Sequence, residues 1–141
     1  VGGQVKGEAL RLFMMYDEGN FIEATEETPY FQIGETKYGK PIIDRVIRAE
    51  TPLMDAIKCV LVSFDSTMRS NIAVGLPIDL ACYARDSLNL SRVHHITDSD
   101  SYFSQISQLW SEGLRGVFAS LPDPDWDISP DTRDYPYISP P

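Results

Sequence analysis

Along residues 9–16, ALRLFMMY, apolar side chains fill both registers of a period-two repeat: Leu10, Leu12, Met14 and Tyr16 on one side, Phe13 and Met15 with Arg11 on the other. This pattern predicts a strand covered on both faces. Asp17, Glu18, Gly19 and Asn20 supply turn chemistry, so Phe21 to Ala24 reads as the returning strand of a hairpin. Tyr30 to Ile33 is a third short apolar run, read as a strand.

Past Gly39 the period lengthens. Ile42, Ile43, Val46 and Ile47 recur at three and four residues, and Pro41 suits a first helical turn, which predicts a short helix ending near Ala49. Thr51 reads as the N-cap of a second helix with Pro52 behind it at the first helical position. The stripe Leu53, Ala56, Ile57, Val60, Leu61 and Phe64 forms its inner face and leaves Asp55, Lys58 and Arg69 toward water. Residues 72–75 and 77–85 return to period two, with Ile78, Leu80, Cys82 and Ala84 opposed to Asp79, Ala81, Tyr83 and Arg85. Asp86 and Ser87 make a turn and Arg92 to Ile96 the next strand, a second hairpin. Asp98 to Ser101 cap a final helix that points Tyr102, Ile106, Leu109, Trp110, Leu114 and Val117 inward, with Gly113 weakening its continuity.

Hairpins and helices arranged in blocks predict an α+β fold with mostly antiparallel sheets and exclude a doubly wound parallel one. Few strands are left to close a sheet whose longest member reads as covered twice. The expected domain is 1–121. From Pro122 the composition shifts to five Asp, one Arg and six of the ten prolines, so 122–141 is expected to be an extended tail, with Trp126, Tyr135 and Tyr137 as surface anchors.

The whole chain has 141 residues, 12 Lys plus Arg against 21 Asp plus Glu, a net charge of -9 and 43% hydrophobic residues. That composition supports one globular core and excludes global disorder. Its acidity and lack of any basic run argue against nucleic acid and anionic membranes as partners. No apolar stretch approaches the roughly 20 residues of a membrane span, and VGGQVKGEAL has no secretory h-region, so a cytoplasmic location is expected. Cys59 and Cys82 sit in apolar segments with no further ligand at metal spacing; they read as small buried hydrophobes, with no metal and no cofactor expected.

Gly34 to Pro41, GETKYGKP, follows G-x-x-x-x-G-K and stands before a helix, but Pro41 replaces the Ser or Thr hydroxyl that a phosphate loop offers to magnesium. A glycine-flanked turn is the plainer reading. His94 and His95 are adjacent, so a strand points them to opposite faces and keeps them from one metal or nucleophile. Ser63, Ser66, Ser70 and Ser104 have no base at a telling spacing. The polar run Asp65 to Asn71 reads as a connection able to hold a carboxylate and hydroxyls that polarise a neighbour, or as a helix end with a solvated turn.

Three stretches, YFQIGETKYGKPIIDRVI (30–47), AIKCVLVSFDSTMRSN (56–71) and VGLPIDLACYARDSL (74–88), resemble the proteasome-type proteases of the ancestral bacterial β-subunit family, Anbu. The opening GGQ, the LFMMYDEGNFIEA hairpin and LPDPDW are consistent with it. The resemblance implies an N-terminal-nucleophile hydrolase: a four-layer αββα sandwich of antiparallel sheets, of which this chain resembles the C-terminal half. In that family an N-terminal threonine is both nucleophile and, through its amine, general base. Val1 has no hydroxyl, so the nucleophile is expected to be absent from this chain and the chain alone inactive.

Carried over by position, Glu35 stands where proteasome subunits have a serine that supports the threonine amine. Asp65 and Ser70 stand in the segment that brings an Asp and a Ser toward it. The leading expectation is thus the C-terminal portion of a threonine-type endopeptidase subunit acting in protein breakdown, with Glu35, Asp65 and Ser70 as supporting residues that orient the amine. Its expected partners are identical subunits in a proteasome-like homo-oligomer and a peptide or unfolded-protein substrate. The alternatives are a non-catalytic assembly module of the same fold and, more distantly, a nucleotide-binding domain built on 34–41.

Overall fold

A computed structural model describes residues 1–125, with the side chains of Ser91 and Arg92 outside that description; the remainder of the expected tail, with Trp126, Tyr135 and Tyr137, lies outside the described residues. The elements are β1 (Gly2–Gly3), β2 (Arg11–Met15), β3 (Phe21–Glu23), α1 (Lys40–Val46), α2 (Leu53–Ser70), β4 (Ile78–Tyr83), β5 (Leu90–Ile96) and α3 (Ser101–Ser120). They form a mixed α+β fold with two antiparallel sheets, one in the order β1-β2-β3 and one of β4 and β5.

Helix α2 carries the core on two opposite faces. Leu61, the most buried large side chain, packs with Ile78 of β4, Ile96 of β5 and Phe103 of α3. Cys59, two residues earlier and roughly 200° away around a helix, packs with Ile43 and Ile47 at α1. One helix therefore joins the β4–β5 hairpin and α3 on one side to α1 on the other. The same helix carries the polar groups described below.

In β4–β5 the register pairs Ile78 with Ile96 and Leu80 with His94, then shifts between Cys82 and Tyr83. The two sheets are tied by one side chain, Gln4, whose carboxamide accepts from the Asp86 N–H (2.7 Å) and donates to the Asp86 carboxylate (2.7 Å). Asp86 stands at φ 64, a conformation that Asp tolerates in turns.

Several expectations are corrected. Residues 30–33 form no strand. Residues 72–75 form no strand; 71–74 close a turn instead, because the Asn71 side chain accepts from the Ala73 N–H (2.9 Å) and the Val74 N–H donates to the Asn71 carbonyl (3.1 Å). Residues 65–70 are the last turns of α2, since Asp65 and Thr67 are packed and the helix ends only where the Asn71 N–H meets the Thr67 carbonyl. Thr51 caps no helix: its hydroxyl accepts from the Arg48 N–H, and Pro52 is the boundary residue before Leu53. Strand β4 ends at Tyr83, with Ala84 and Arg85 in the turn.

Strand β2 is not covered on both faces among the described residues, for Leu12 and Met15 are exposed. Helix α3 runs unbroken through Gly113, capped by the Asp100 carboxylate on the Phe103 N–H (2.7 Å). Its buried anchor is Phe103, whereas Tyr102, Leu109, Leu114 and Val117 are exposed, no described residue covering its C-terminal half. No helix among the described residues is long and apolar enough to cross a membrane.

Candidate functional site

A cleft of about 760 Å³ opens between the segment 29–35, the end of α1 and the α2 face that carries Val60, Ser63, Phe64 and Thr67. Its wall is mostly apolar, with Phe31, Ile33 and Val74 beside Gln32 and Glu35. Two glycines place the wall. Gly34 takes φ 80, which reverses the chain at small steric cost only without a Cβ. Gly39 is buried against α2 so closely that a Cβ there would meet the Ser63 hydroxyl at 2.1 Å and the Thr67 hydroxyl at 2.9 Å. The turn between them is thereby pressed onto the last turns of the helix.

That contact delivers Glu35 to the end of α2. Its carboxylate accepts the Lys37 N–H at 2.8 Å and the Asn71 side-chain amide at 2.9 Å. The Lys37 N–H is the main reason its carboxyl is held below the ordinary 4.5; partial burial opposes this and the Asn71 amide adds to it. Glu35 is thus an anion at neutral pH, fixed by a donor two residues on in its own turn and by another 36 residues away at the end of α2. The Gln32 amide donates to the Glu35 carbonyl (3.2 Å), and its own oxygen is buried without a partner among the described residues.

The other expected site residues lie elsewhere. Asp65 is buried on the side of α2 that faces α3, where it accepts the Ser107 hydroxyl (2.6 Å) and the Arg69 guanidinium (3.2 Å). Ser70, the last residue of α2, is exposed. The structure therefore brings Glu35 together with Asn71, not with Asp65 or Ser70. Sequence reading missed Asn71 and Ser107. A usable signal for Asn71 was its type, since Asn is favoured where a helix ends and an Asx-turn begins. Ser107 stands one turn after Phe103 on the half-buried face of α3, and its polar type kept it out of the apolar stripe.

Lys40 does not point toward an empty loop. Its ammonium lies 2.7 and 2.9 Å from the two Asp44 oxygens and 3.2 Å from the Tyr30 hydroxyl, which also bonds Asp44. Asp44 raises the Lys40 pKa and is itself lowered by Lys40, each stabilising the other's charge. Burial is the main cause that lifts Tyr30 above its ordinary value. His95 pairs with Asp79 at 2.8 Å across β4–β5, and both His94 and His95 are exposed. Cys59 and Cys82 are buried and free, and burial pushes the Cys59 thiol up.

No family model and no curated protein matches the chain. Solved structures do. It is 56% identical to Anbu (ancestral beta-subunit) from Yersinia bercovieri, with a TM-score of 0.86 over 89% of this chain and 53% of that one. It is 54% identical to the Gly-1 mutant of Anbu from Hyphomicrobium sp. strain MC1, with a TM-score of 0.86 over 89% of this chain and 55% of that one. A helical assembly of the Anbu complex from Pseudomonas aeruginosa matches at 52% identity and a TM-score of 0.84, over 87% of this chain and 51% of that one. The chain spans about half the length of the solved structures it matches.

Proposed function

For a chain that belongs to the Anbu family of proteasome-like β-subunits and spans about half the length of its solved members, we propose that it forms the C-terminal portion of a threonine-type endopeptidase subunit. In this reading the two sheets take their places in a four-layer αββα sandwich completed by the rest of the subunit. The open faces of β2 and β3, with Leu12, Met15 and Phe21 exposed, support it, because an uncovered apolar sheet face calls for a further layer.

The hydrolytic step needs a hydroxyl and an amine. The threonine oxygen attacks the peptide carbonyl carbon, the threonine amine takes the hydroxyl proton, and the resulting ammonium returns a proton to the departing nitrogen as the C–N bond breaks. Water then hydrolyses the ester. Glu35 acts on the amine: as a fixed acceptor it orients the lone pair toward the hydroxyl, and as an anion it stabilises the ammonium while the proton is held. The observation that carries this reading is the Glu35 carboxylate, ionised and clamped by Lys37 and Asn71 on the wall of the cleft. Asp65 and Ser70 take no direct part in it.

The substrate is a peptide or unfolded protein, the partners are identical subunits, and the site of action is the cytoplasm. The helical assembly solved for the Pseudomonas aeruginosa relative supports the subunit partners. A non-catalytic assembly role for the same fold draws support from the apolar side chains left exposed along α3, Leu114, Val117 and Phe118. Fluorogenic peptides separate the two. The complete subunit cleaves them and loses cleavage when its first threonine becomes alanine; cleavage that survives the change, or none in the unaltered subunit, removes the peptidase reading.

A further inference from the structure

Helix α2 is held near its C-terminus from three directions. Ser63 and Thr67 lie under Gly39, Asn71 reaches Glu35, and Asp65 reaches α3. The third anchor is a closed triangle: the Ser107 hydroxyl donates to Asp65 Oδ1 (2.6 Å), Arg69 Nε donates to Asp65 Oδ2 (3.2 Å), and Arg69 Nη2 donates to the Ser107 hydroxyl (2.9 Å). Asp65 is 6% exposed, so its charge is removed from water and depends on these donors. A buried carboxylate with two directional donors fixes position as well as energy, because sliding the helix would leave it unpaired.

Asn71 directly follows the last residue of α2, six residues beyond Asp65, so the two side chains are joined by about a turn and a half of one helix. From this placement we infer that Asp65, with Ser107 and Arg69, is a positioning device for Glu35: it sets where the end of α2 stands, and Asn71 passes that placement to the Glu35 carboxylate. The inference rests on the role proposed for Glu35, and it gives α3 a hold on the cleft wall although no α3 residue lines it. The Ile43, Ile47 and Cys59 cluster lies further back along α2 and is anchored independently.

Hydrogen exchange in the complete subunit, read by mass spectrometry, tests this without requiring turnover. In Asp65→Asn and in Ser107→Ala, residues 34–39 exchange about tenfold faster, while α1 keeps its protection. Ser107→Thr, which retains the hydroxyl, exchanges as the unaltered protein does. Should Asp65→Asn fail to fold, Ser107→Ala alone decides, since it removes one bond from the opposite helix. Unchanged exchange at 34–39, or an equal rise there and in α1, overturns the inference and assigns the triangle to general stability. Absence of peptidase activity would strike the proposed function and leave this result standing.

Discussion

Glu35 and Asn71, 36 residues apart in the chain, meet in a 2.9 Å hydrogen bond that closes the Gly34–Gly39 turn onto the end of α2. Asn71 also accepts from the Ala73 N–H, so one side chain both ends the helix and holds the carboxylate. Replacing Glu35 with Gln keeps the shape and removes the charge. In the complete subunit this is expected to lower kcat by about tenfold to a hundredfold with little change in KM. Steady-state kinetics with a fluorogenic peptide measures it, and an unchanged kcat would detach Glu35 from the chemistry.

The same carboxylate predicts a pH dependence. Its pKa is lower folded than unfolded, so the support it gives the turn is complete above the ordinary value of 4.5 and is lost as pH falls through the lower folded value. The Lys37 amide resonance, followed by NMR, is expected to titrate with a midpoint below 4.5. Asn71→Ala should move that midpoint upward by removing one of the donors.

Gly39 is where the turn and α2 come closest. Gly39→Ala sets a Cβ 2.1 Å from the Ser63 hydroxyl and 3.0 Å from the Ser63 carbonyl. Overpacking of this kind costs about 1–3 kcal/mol, to be read from urea unfolding. Adding Ser63→Ala should recover part of the loss only, because the backbone carbonyl remains.

Leu61 is 2% exposed at the junction of α2, β4, β5 and α3. Leu61→Ala is expected to destabilise by about 2–5 kcal/mol, whereas Phe118→Ala, at 77% exposure, should shift the unfolding of the isolated chain by less than about 0.5 kcal/mol. Chemical denaturation of both variants checks the contrast.

The nucleotide reading predicts an affinity that Lys40 is not placed to give, since Asp44 and Tyr30 occupy its ammonium. Titration calorimetry with ATP and magnesium is expected to show no saturable binding, and Lys40→Ala no difference. Tight binding lost in Lys40→Ala would reverse this.

The positions of the helices were legible in the sequence because apolar spacing marks them, and Leu61 and Ile43 are buried where it puts them. The face was not, since Leu53 and Phe64 of the α2 stripe are exposed while Cys59 and Val62 outside it are buried, Cys59 against α1. The period-two run from Ile78 likewise gave β4. What spacing could not show was how far a pattern extends. Polar residues from Asp65 to Asn71 look like a connection until Ser107 on α3 is seen to receive Asp65, a contact 42 residues away that lets a charged turn remain helical. Tyr30 to Ile33 has strand composition, yet among the described residues nothing pairs with it, and composition does not supply a partner. The inward set of α3 held only at Ile106, which packs on the core, and at half-buried Trp110, while Tyr102, Leu109, Leu114 and Val117 are exposed, since a helical stripe identifies a face and not what covers it. At the site, Glu35 was marked by resemblance, while its true contact, Asn71, depended on where α2 ends.

The most direct test is covalent capture. The complete subunit, incubated with a peptide electrophile that reacts with both a hydroxyl and the adjacent amine, is expected to gain one adduct on its first threonine, formed more slowly in Glu35→Gln. Mass spectrometry that finds no adduct there, or an equal rate in Glu35→Gln, would contradict the placing of this chain beside a threonine nucleophile.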